Sequence, residues 1–555
     1  MNTDTYDFVI VGAGAAGAVL AHRLSQDPNV SVCLLEAGRP DTSPWLHLPA
    51  GFIKVINDPA WTWQFQSEPS AFTGGRRINL PQGRTLGGTT SINGMIYNRG
   101  QAEDYDQWAA QGNPGWSYRE VLPYFRRSEG HQGPADPQFH GQQGPVTVSR
   151  LSWKHPICDA FIAGGVAAGL PRNDDYNGAR QAGIGYFHRT IGGRWRSSTA
   201  RAFLKPAKGR SNLTVLTEAQ TVELTMQHKT VTGVRYRVGR DASQLREVRA
   251  RREVILCAGT LNTPKILELS GIGEPAVLAR LGIPLRHSLP GVGENLADHY
   301  SVRVVAKVKG CATINEISRG PRLLREVLRW VFGRPSLLAV SPSLVHWFAS
   351  TAGAGERPNL QGVFTPASYK EGAIGRLDNF PGMTAGVWVH RPKSRGSVHA
   401  QHRDPLQAPL IKANYLDHPD DRAQLLEGIR QARALLRSPA LSRYFDGEVL
   451  PGAAANSDAE LLAFASRYGG SAQHLVGTSK MGPANDPMAV VDAELRVHGL
   501  HGLRIADASV MPCTPSANTC AASMMIGEKA ADLLLGVAPL PAADMTVASP
   551  TPALA

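Results

Sequence analysis

The stretch Gly12-Ala13-Gly14-Ala15-Ala16-Gly17 constrains this chain more tightly than any other. It follows Tyr6–Val11, a short apolar, β-branched run that reads as a buried parallel strand. It opens Ala18–Ser25, rich in helix formers, with Val19, Leu20 and Leu24 on one side. A second strand, Val32–Leu35, ends at Glu36. In such a βαβ unit the first glycine permits the tight turn and the second lets a pyrophosphate approach the main chain. The third lets helix and strand pack closely. Glu36 stands where a carboxylate accepts hydrogen bonds from an adenosine ribose, and its charge argues against a 2′-phosphate there. The constellation predicts a dinucleotide site; the plain alternative, a glycine-rich turn without a ligand, explains neither the flanking elements nor the acid.

At 555 residues the chain exceeds one ordinary core, and about 100 to 200 residues per domain implies two to four units. Strand signals at Glu253–Gly259 and Leu503–Asp507 lie far downstream of the first unit, so one sheet is expected to gather distant segments. Alternating patterns at Val302–Val308 and Gly386–His390 read as antiparallel strands of another sheet, which makes the domains interleaved. From Ala538 to Ala555 the chain is Pro- and Ala-rich without periodicity and reads as a disordered tail. Lys and Arg number 58 against 46 Asp and Glu, a formal charge of +12, but the basic residues are scattered and no zinc-finger or other metal-binding spacing is present. Nucleic acid is not an expected partner. The six cysteines include no CxxC pair and suit a reducing compartment. Met1 to Gly12 reads as neither a signal peptide nor a transit sequence, and no apolar run reaches the 18 or so residues of a membrane span. A cytoplasmic location is expected.

Between Arg322, Arg325 and Arg329 on one helical face and Leu323, Leu324, Val327, Leu328 and Val331 on the other, residues 321–332 form an amphipathic helix. The plain expectation is that its apolar face packs on its own domain. The alternative is contact with a redox partner or with the inner face of a membrane.

A nicotinamide or a flavin dinucleotide suits the first unit, and Gly83–Gly94, GRTLGGTTSING, bears on the choice. Adjacent glycines followed by small hydroxyl residues let main chain lie against a flat ring and a second set of phosphates. Taken alone, the same stretch also suits a structural loop.

Several long motifs then agree in order. GAGAAG with Glu36-Ala37-Gly38, GRTLGGTTSINGMIYNRG, GTLNTPKILELSGIG at Gly259–Gly273, PGVGENLADH at Pro290–His299, RPKSRG at Arg391–Gly396 and the closing stretch from His474 to Asp532 resemble the glucose-methanol-choline (GMC) oxidoreductase family. The likeness covers nearly the whole chain and is strongest to bacterial choline dehydrogenase-like and alcohol or sorbose dehydrogenases. It implies an α/β (α+β overall) protein with a discontinuous Rossmann-like FAD domain, residues 1–150, 200–300 and 465–537. A substrate domain of antiparallel sheet and helices would comprise residues 151–199 and 301–464.

Carried over motif by motif, the resemblance places Gly12, Ala13, Gly14, Ala15, Ala16, Gly17, Glu36 and Ala37 on the ADP half of FAD. Arg84, Gly87, Gly88, Thr89, Asn93, Gly94, Met95 and Ile96 would line the flavin, and Val222 would present main chain near the adenine. Ala258, Gly259, Asp507, Ala508 and Thr519 complete the expected cofactor contacts. Some relatives attach the flavin through a histidine at the position held here by Ile92, so noncovalent FAD is expected. The catalytic pair would be His474 and Asn518. An imidazole, with a reference pKa near 6.5, can take the hydroxyl proton of an alcohol while hydride leaves for the flavin, and the amide can orient the forming alkoxide. Gln473 and Leu475 depart from the family's usual neighbours of this histidine, which puts pocket shape in question more than the base. His498 and His501 fall in a segment that reads as a surface turn. A dehydrogenase passing electrons to a quinone or carrier protein is expected. An oxidase that uses oxygen, and more remotely a hydroxynitrile-type lyase, are the alternatives, and the motifs do not name the alcohol.

Overall fold

The computed structural model describes residues 4–239, 244–370 and 375–545. The first of its two seven-stranded sheets runs in the order Leu213–Leu216, Val32–Leu35, Asp4–Val11, Leu245–Leu256, Thr230–Val238, Ala219–Gln227, with Leu503–Ile505 paired to Leu245–Leu256. Val254 stands opposite Val9 on one side and Leu503 on the other, both parallel, so strands from the beginning, middle and end of the chain meet there. Where they meet, Phe8–Val11, Val254–Leu256 and Leu503–Ile505 are buried on both faces, as in parallel sheets covered by helices. The helix Ala15–Leu24 packs against Cys520–Leu535, where a Cβ on Gly527 would lie 2.8 Å from the Ala16 carbonyl oxygen. Arg23 and Arg127 close the far end of this packing on the buried carboxylates of Glu528 and Asp532.

The second sheet is antiparallel, in the order Phe445–Leu450, Tyr300–Val308, Gly382–Val389, Leu360–Thr365, Val345–Ala349, Gly183–Tyr186. Its rear face is covered by the helices Pro156–Ala167 and Pro419–Leu436. Phe161 stacks on Phe364 with ring centroids 4.0 Å apart, and Gly428 admits Val387 and Leu360 against the second helix. Burial of each such side chain contributes about 1.5–3 kcal/mol. The front face turns Ser301, Arg303, Thr365, Thr384, Gly386 and Trp388 toward the first sheet's loops.

Two expectations are corrected. The helix Gly320–Val331 forms, but its apolar face does not pack on its own domain. Leu324 is 60% exposed and Phe332 74%, and Val327, Leu328 and Val331 are exposed with them, whereas Glu326 is buried. Its carboxylate is held inward by the Leu337 N–H, and its carbonyl by the Ser336 hydroxyl. The tail is not loose at its start: Ala543 N–H donates to the Arg119 carbonyl, and Leu540 and Ala543 pack on the first core. The rest of the expected disordered tail, 546–555, lies outside the described residues. Among the described residues no helix is long and apolar enough to cross a membrane.

Candidate active site

A single cavity of about 670 Å³ extends from Glu36 in the first βαβ unit to His474 and the front of the second sheet. At its first end, Gly12 has φ +102°, and a Cβ there would come 2.4 Å from the Cys257 carbonyl oxygen. A Cβ on Gly17 would lie 1.9 Å from the Gly12 carbonyl oxygen, so both glycines are required by packing. Gly14 instead meets nothing within 4 Å and faces the cavity. It caps the helix Ala15–Leu24 without a side-chain acceptor, leaving first-turn N–H groups for an anionic ligand. The Glu36 carboxylate accepts from Ala13 N–H at 2.9 Å and Gly38 N–H at 2.7 Å, and burial lifts its pKa to about 7 against these bonds.

Further along, Gly88 sits against Gly14, where a Cβ would meet the Gly14 Cα at 2.8 Å, and Gly87 N–H donates to the Ala13 carbonyl. The loop after the second glycine pair is thus pressed onto the first one. Thr89, Asn93, Gly94, Met95 and Ile96 follow along the wall, with Asn93 Oδ1 accepting from Met95 N–H and the Arg196 guanidinium. Opposite, Asp507 Oδ2 accepts from Gly259 N–H at 2.8 Å and the Thr263 hydroxyl at 2.6 Å, beside Ala258 and Ala508. Ala15, Ala16, Ala37, Asn518 and Thr519 also line the space. A long cavity with a bare glycine turn at a helix start, an acid beside it and close-packed small residues beyond fits a dinucleotide carrying a broad ring.

Not every expected contact touches this wall. Ala13, Gly17 and Gly87 shape it from behind, and Arg84 lies over the Trp63 ring at 4.2 Å. Val222 does not line it; Ala219, Gln220 and Thr221, its neighbours on the same strand, do. Ile92 does border the cavity, but it is 1% exposed and packs with Leu46 and Val55. His498 Nε2 donates to the Gly482 carbonyl away from the cavity, and His501 is likewise outside it.

His474 and Asn518 meet: Asn518 Nδ2 lies 2.8 Å from His474 Nε2. The surrounding bonds settle the tautomer. His299 Nε2 lies 2.7 Å from the His390 carbonyl, which can only accept, so that nitrogen carries a proton. In neutral His299 the Nδ1 is then an acceptor, and it sits 2.9 Å from His474 Nδ1, which must donate. His474 Nε2 is left with its lone pair facing the cavity and accepts from Asn518 Nδ2, while Asn518 Oδ1 accepts from Gln361 Nε2 at 3.2 Å. Burial, then the neighbouring His299, holds the His474 pKa well below the usual imidazole range, and burial takes His299 to about 4. Both rings are neutral at neutral pH. Asp298 fixes the main chain here, accepting from His474 N–H and His299 N–H at 2.8 Å each. The Trp388 ring stands 5.8 Å from that of His474. Sequence reasoning assigned no role to Asp298, His299, Gln361, Arg303 or Trp388. The first two close PGVGENLADH, a motif that was the available signal.

Comparison with known proteins agrees with this geometry. GMC oxidoreductase family models match residues 6–301 and 392–527. The chain is 40% identical to the oxygen-dependent choline dehydrogenase of Photobacterium profundum, over 97% of this chain and 94% of that one. It is 39% identical to the protein of the same name from Brucella anthropi, over 97% of each. Among solved structures, pyridoxine 4-oxidase from Mesorbium loti superposes with a TM-score of 0.85 at 29% identity, covering 96% of this chain and 98% of that one. The formate oxidase of Aspergillus oryzae does so with a TM-score of 0.89 at 26% identity, covering 97% and 99%. With both family models matched and the histidine–asparagine pair assembled at the end of a dinucleotide cavity, the chain belongs to the GMC oxidoreductase family.

Proposed function

We propose that this FAD-dependent enzyme is a dehydrogenase that oxidises a small-molecule alcohol to an aldehyde or ketone, with His474 as base. The observation that carries the reading is the fixed tautomer of His474, whose Nε2 lone pair faces the cavity beside a donor amide. An alcohol placed there would take over the Asn518 Nδ2 hydrogen bond from His474 Nε2, its oxygen accepting from the amide while its hydroxyl proton goes to the freed Nε2 lone pair. Loss of that proton relieves the high-energy protonated carbonyl that hydride loss from the intact alcohol would leave. FAD bound in the cavity would supply the hydride acceptor. Its phosphates would lie at Gly14 and its ribose at Glu36, and buried Ile92 offers no atom for covalent attachment.

We assign the cofactor domain to residues 1–150, 200–300 and 465–537, and the substrate domain to 151–199 and 301–464. The outward apolar face of the Gly320–Val331 helix, with Arg322 and Arg325 beside it, supports a peripheral contact with a membrane surface, where a quinone acceptor would be reached. The six unpaired cysteines suit a cytoplasmic location. The test is anaerobic mixing of the yellow holoenzyme with a panel of alcohols: flavin bleaching by at least one of them is expected. Steady turnover should then be faster with an artificial quinone than with oxygen alone, and absence of bleaching by every alcohol would refute the reading.

A further inference from the structure

Arg303 lies on the strand Tyr300–Val308, opposite Gly386 on Gly382–Val389, the strand that also carries Trp388. Ser301, Arg303, Gly386 and Trp388 all face the cavity, so the guanidinium projects from the same surface that holds the indole beside His474. Gly386 makes the room: a Cβ there would lie 3.7 Å from Arg303 Cγ and 2.9 Å from Val363. The exposed surface of Arg303 is cavity wall, and desolvation lowers its pKa, with the Tyr369 phenol the one group acting against this.

The charge has no partner among the described residues. Among these residues Arg303 makes no ion pair and no hydrogen bond, while the other arginines of the wall are engaged. Arg76 is bonded to the Ser466 and Gly469 carbonyls, Arg77 is paired with Glu68, and Arg467 lies over the Tyr468 ring. The only described acids lining the cavity, Glu36 and Asp507, belong to the dinucleotide half and are engaged by main-chain N–H and hydroxyl donors. A partly enclosed guanidinium with no counter-ion is costly unless the ligand supplies one, and its planar fork matches a carboxylate or a phosphate.

We infer that the substrate is a hydroxy compound whose far end carries an oxyanion, carboxylate or phosphate, held by Arg303 while its hydroxyl meets His474. The inference rests on the proposed alcohol oxidation at His474 and adds the substrate's charge. It separates this chain from the relatives named for choline, whose quaternary ammonium would meet Arg303 beside His474, where the described lining residues outside the dinucleotide half include no acid.

The experiment uses the FAD-loaded enzyme and compounds of matched length: an ω-hydroxycarboxylate, an ω-hydroxyalkyl phosphate, a neutral alkanol and choline. One of the two anions should exceed the alkanol in kcat/KM by about tenfold or more, as a charge-assisted hydrogen bond implies, and choline should fall below the alkanol. The larger of the two anion values identifies the oxyanion. Arg303→Met should collapse the anion-to-alkanol ratio to near one, Arg303→Lys should keep part of it, and retained flavin absorbance shows that each variant is folded. A wild-type preference for choline, or a ratio unchanged in Arg303→Met, overturns the inference. Titration with an unreactive alkanoate, read from the flavin spectrum, separates the two proposals. Arg303-dependent binding without bleaching by any alcohol would keep the oxyanion site and refute the oxidation.

Discussion

His299 Nδ1 stands 2.9 Å from His474 Nδ1 inside the protein, and the direction of that one hydrogen bond decides whether Nε2 of His474, the nitrogen beside Asn518, carries a lone pair or a proton. Because His299 is tied to the His390 carbonyl through Nε2, it offers a lone pair and not a proton. His299→Phe removes the acceptor and frees the other tautomer. FAD should stay bound while anaerobic flavin reduction slows by about tenfold to a hundredfold, the usual cost of losing an orienting partner. The acid limb of the rate profile should also move to higher pH, because His299 helps to depress the His474 pKa. A purely structural role for His299 would lower protein stability without moving that limb.

The cofactor half is tested at Glu36. Its carboxylate holds the Ala13 and Gly38 N–H groups and is available to a ribose. Glu36→Ala should weaken FAD retention by about tenfold or more, the equivalent of one charge-assisted hydrogen bond of roughly 1.5–3 kcal/mol. Equilibrium dialysis of released FAD measures this, and unchanged affinity would remove Glu36 from the site. Acid denaturation of the wild type should release all flavin into solution, since Ile92 cannot hold it.

A third prediction concerns stability. His399 is buried, which disfavours its charge, but hydrogen bonds to Glu268 at 2.7 Å and Glu294 at 2.9 Å outweigh this and raise its pKa to about 9. The folded value exceeds the unfolded one of about 6.5. The contribution is therefore complete below about pH 6.5 and is lost as pH rises through about 9. Melting temperature followed from pH 6 to 10 should fall across that window. Glu268→Gln should flatten the fall and cost on the order of 3 kcal/mol at pH 7, as removal of one member of a buried pair does.

Much of the architecture was legible because it rests on local pattern. The glycine turn, the strand before it and Glu36 after it are contiguous, and the alternation at Val302–Val308 and Gly386–His390 does form antiparallel neighbours. What escaped was relational. The periodicity of 321–332 separates two faces but does not say which one packs, and the buried Glu326 carboxylate reversed the expected answer. The His299–His474 contact joins positions 175 residues apart, so no spacing reveals it. Arg303 read as one member of an alternating strand, and only the sheet register shows that it shares the cavity face with Trp388. Val222 missed the wall by a single position: the strand borders it from Ala219 to Thr221 and leaves it there.

The central claim is that neutral His474 takes the hydroxyl proton, and rapid mixing of enzyme with alcohol in the absence of oxygen, at several pH values, tests it most directly. Because burial and His299 depress the His474 pKa, the wild-type bleaching rate should stay level from pH 8 to 6.5 and fall only below that. His474→Ala should retain FAD, bleach at least a hundredfold more slowly, within the 10² to 10⁴ or so that a positioned base contributes, and lose the acid limb. Asn518→Ala should slow the same step by less. Bleaching of His474→Ala at near the wild-type rate, with the acid limb intact, would contradict the account and place the base elsewhere.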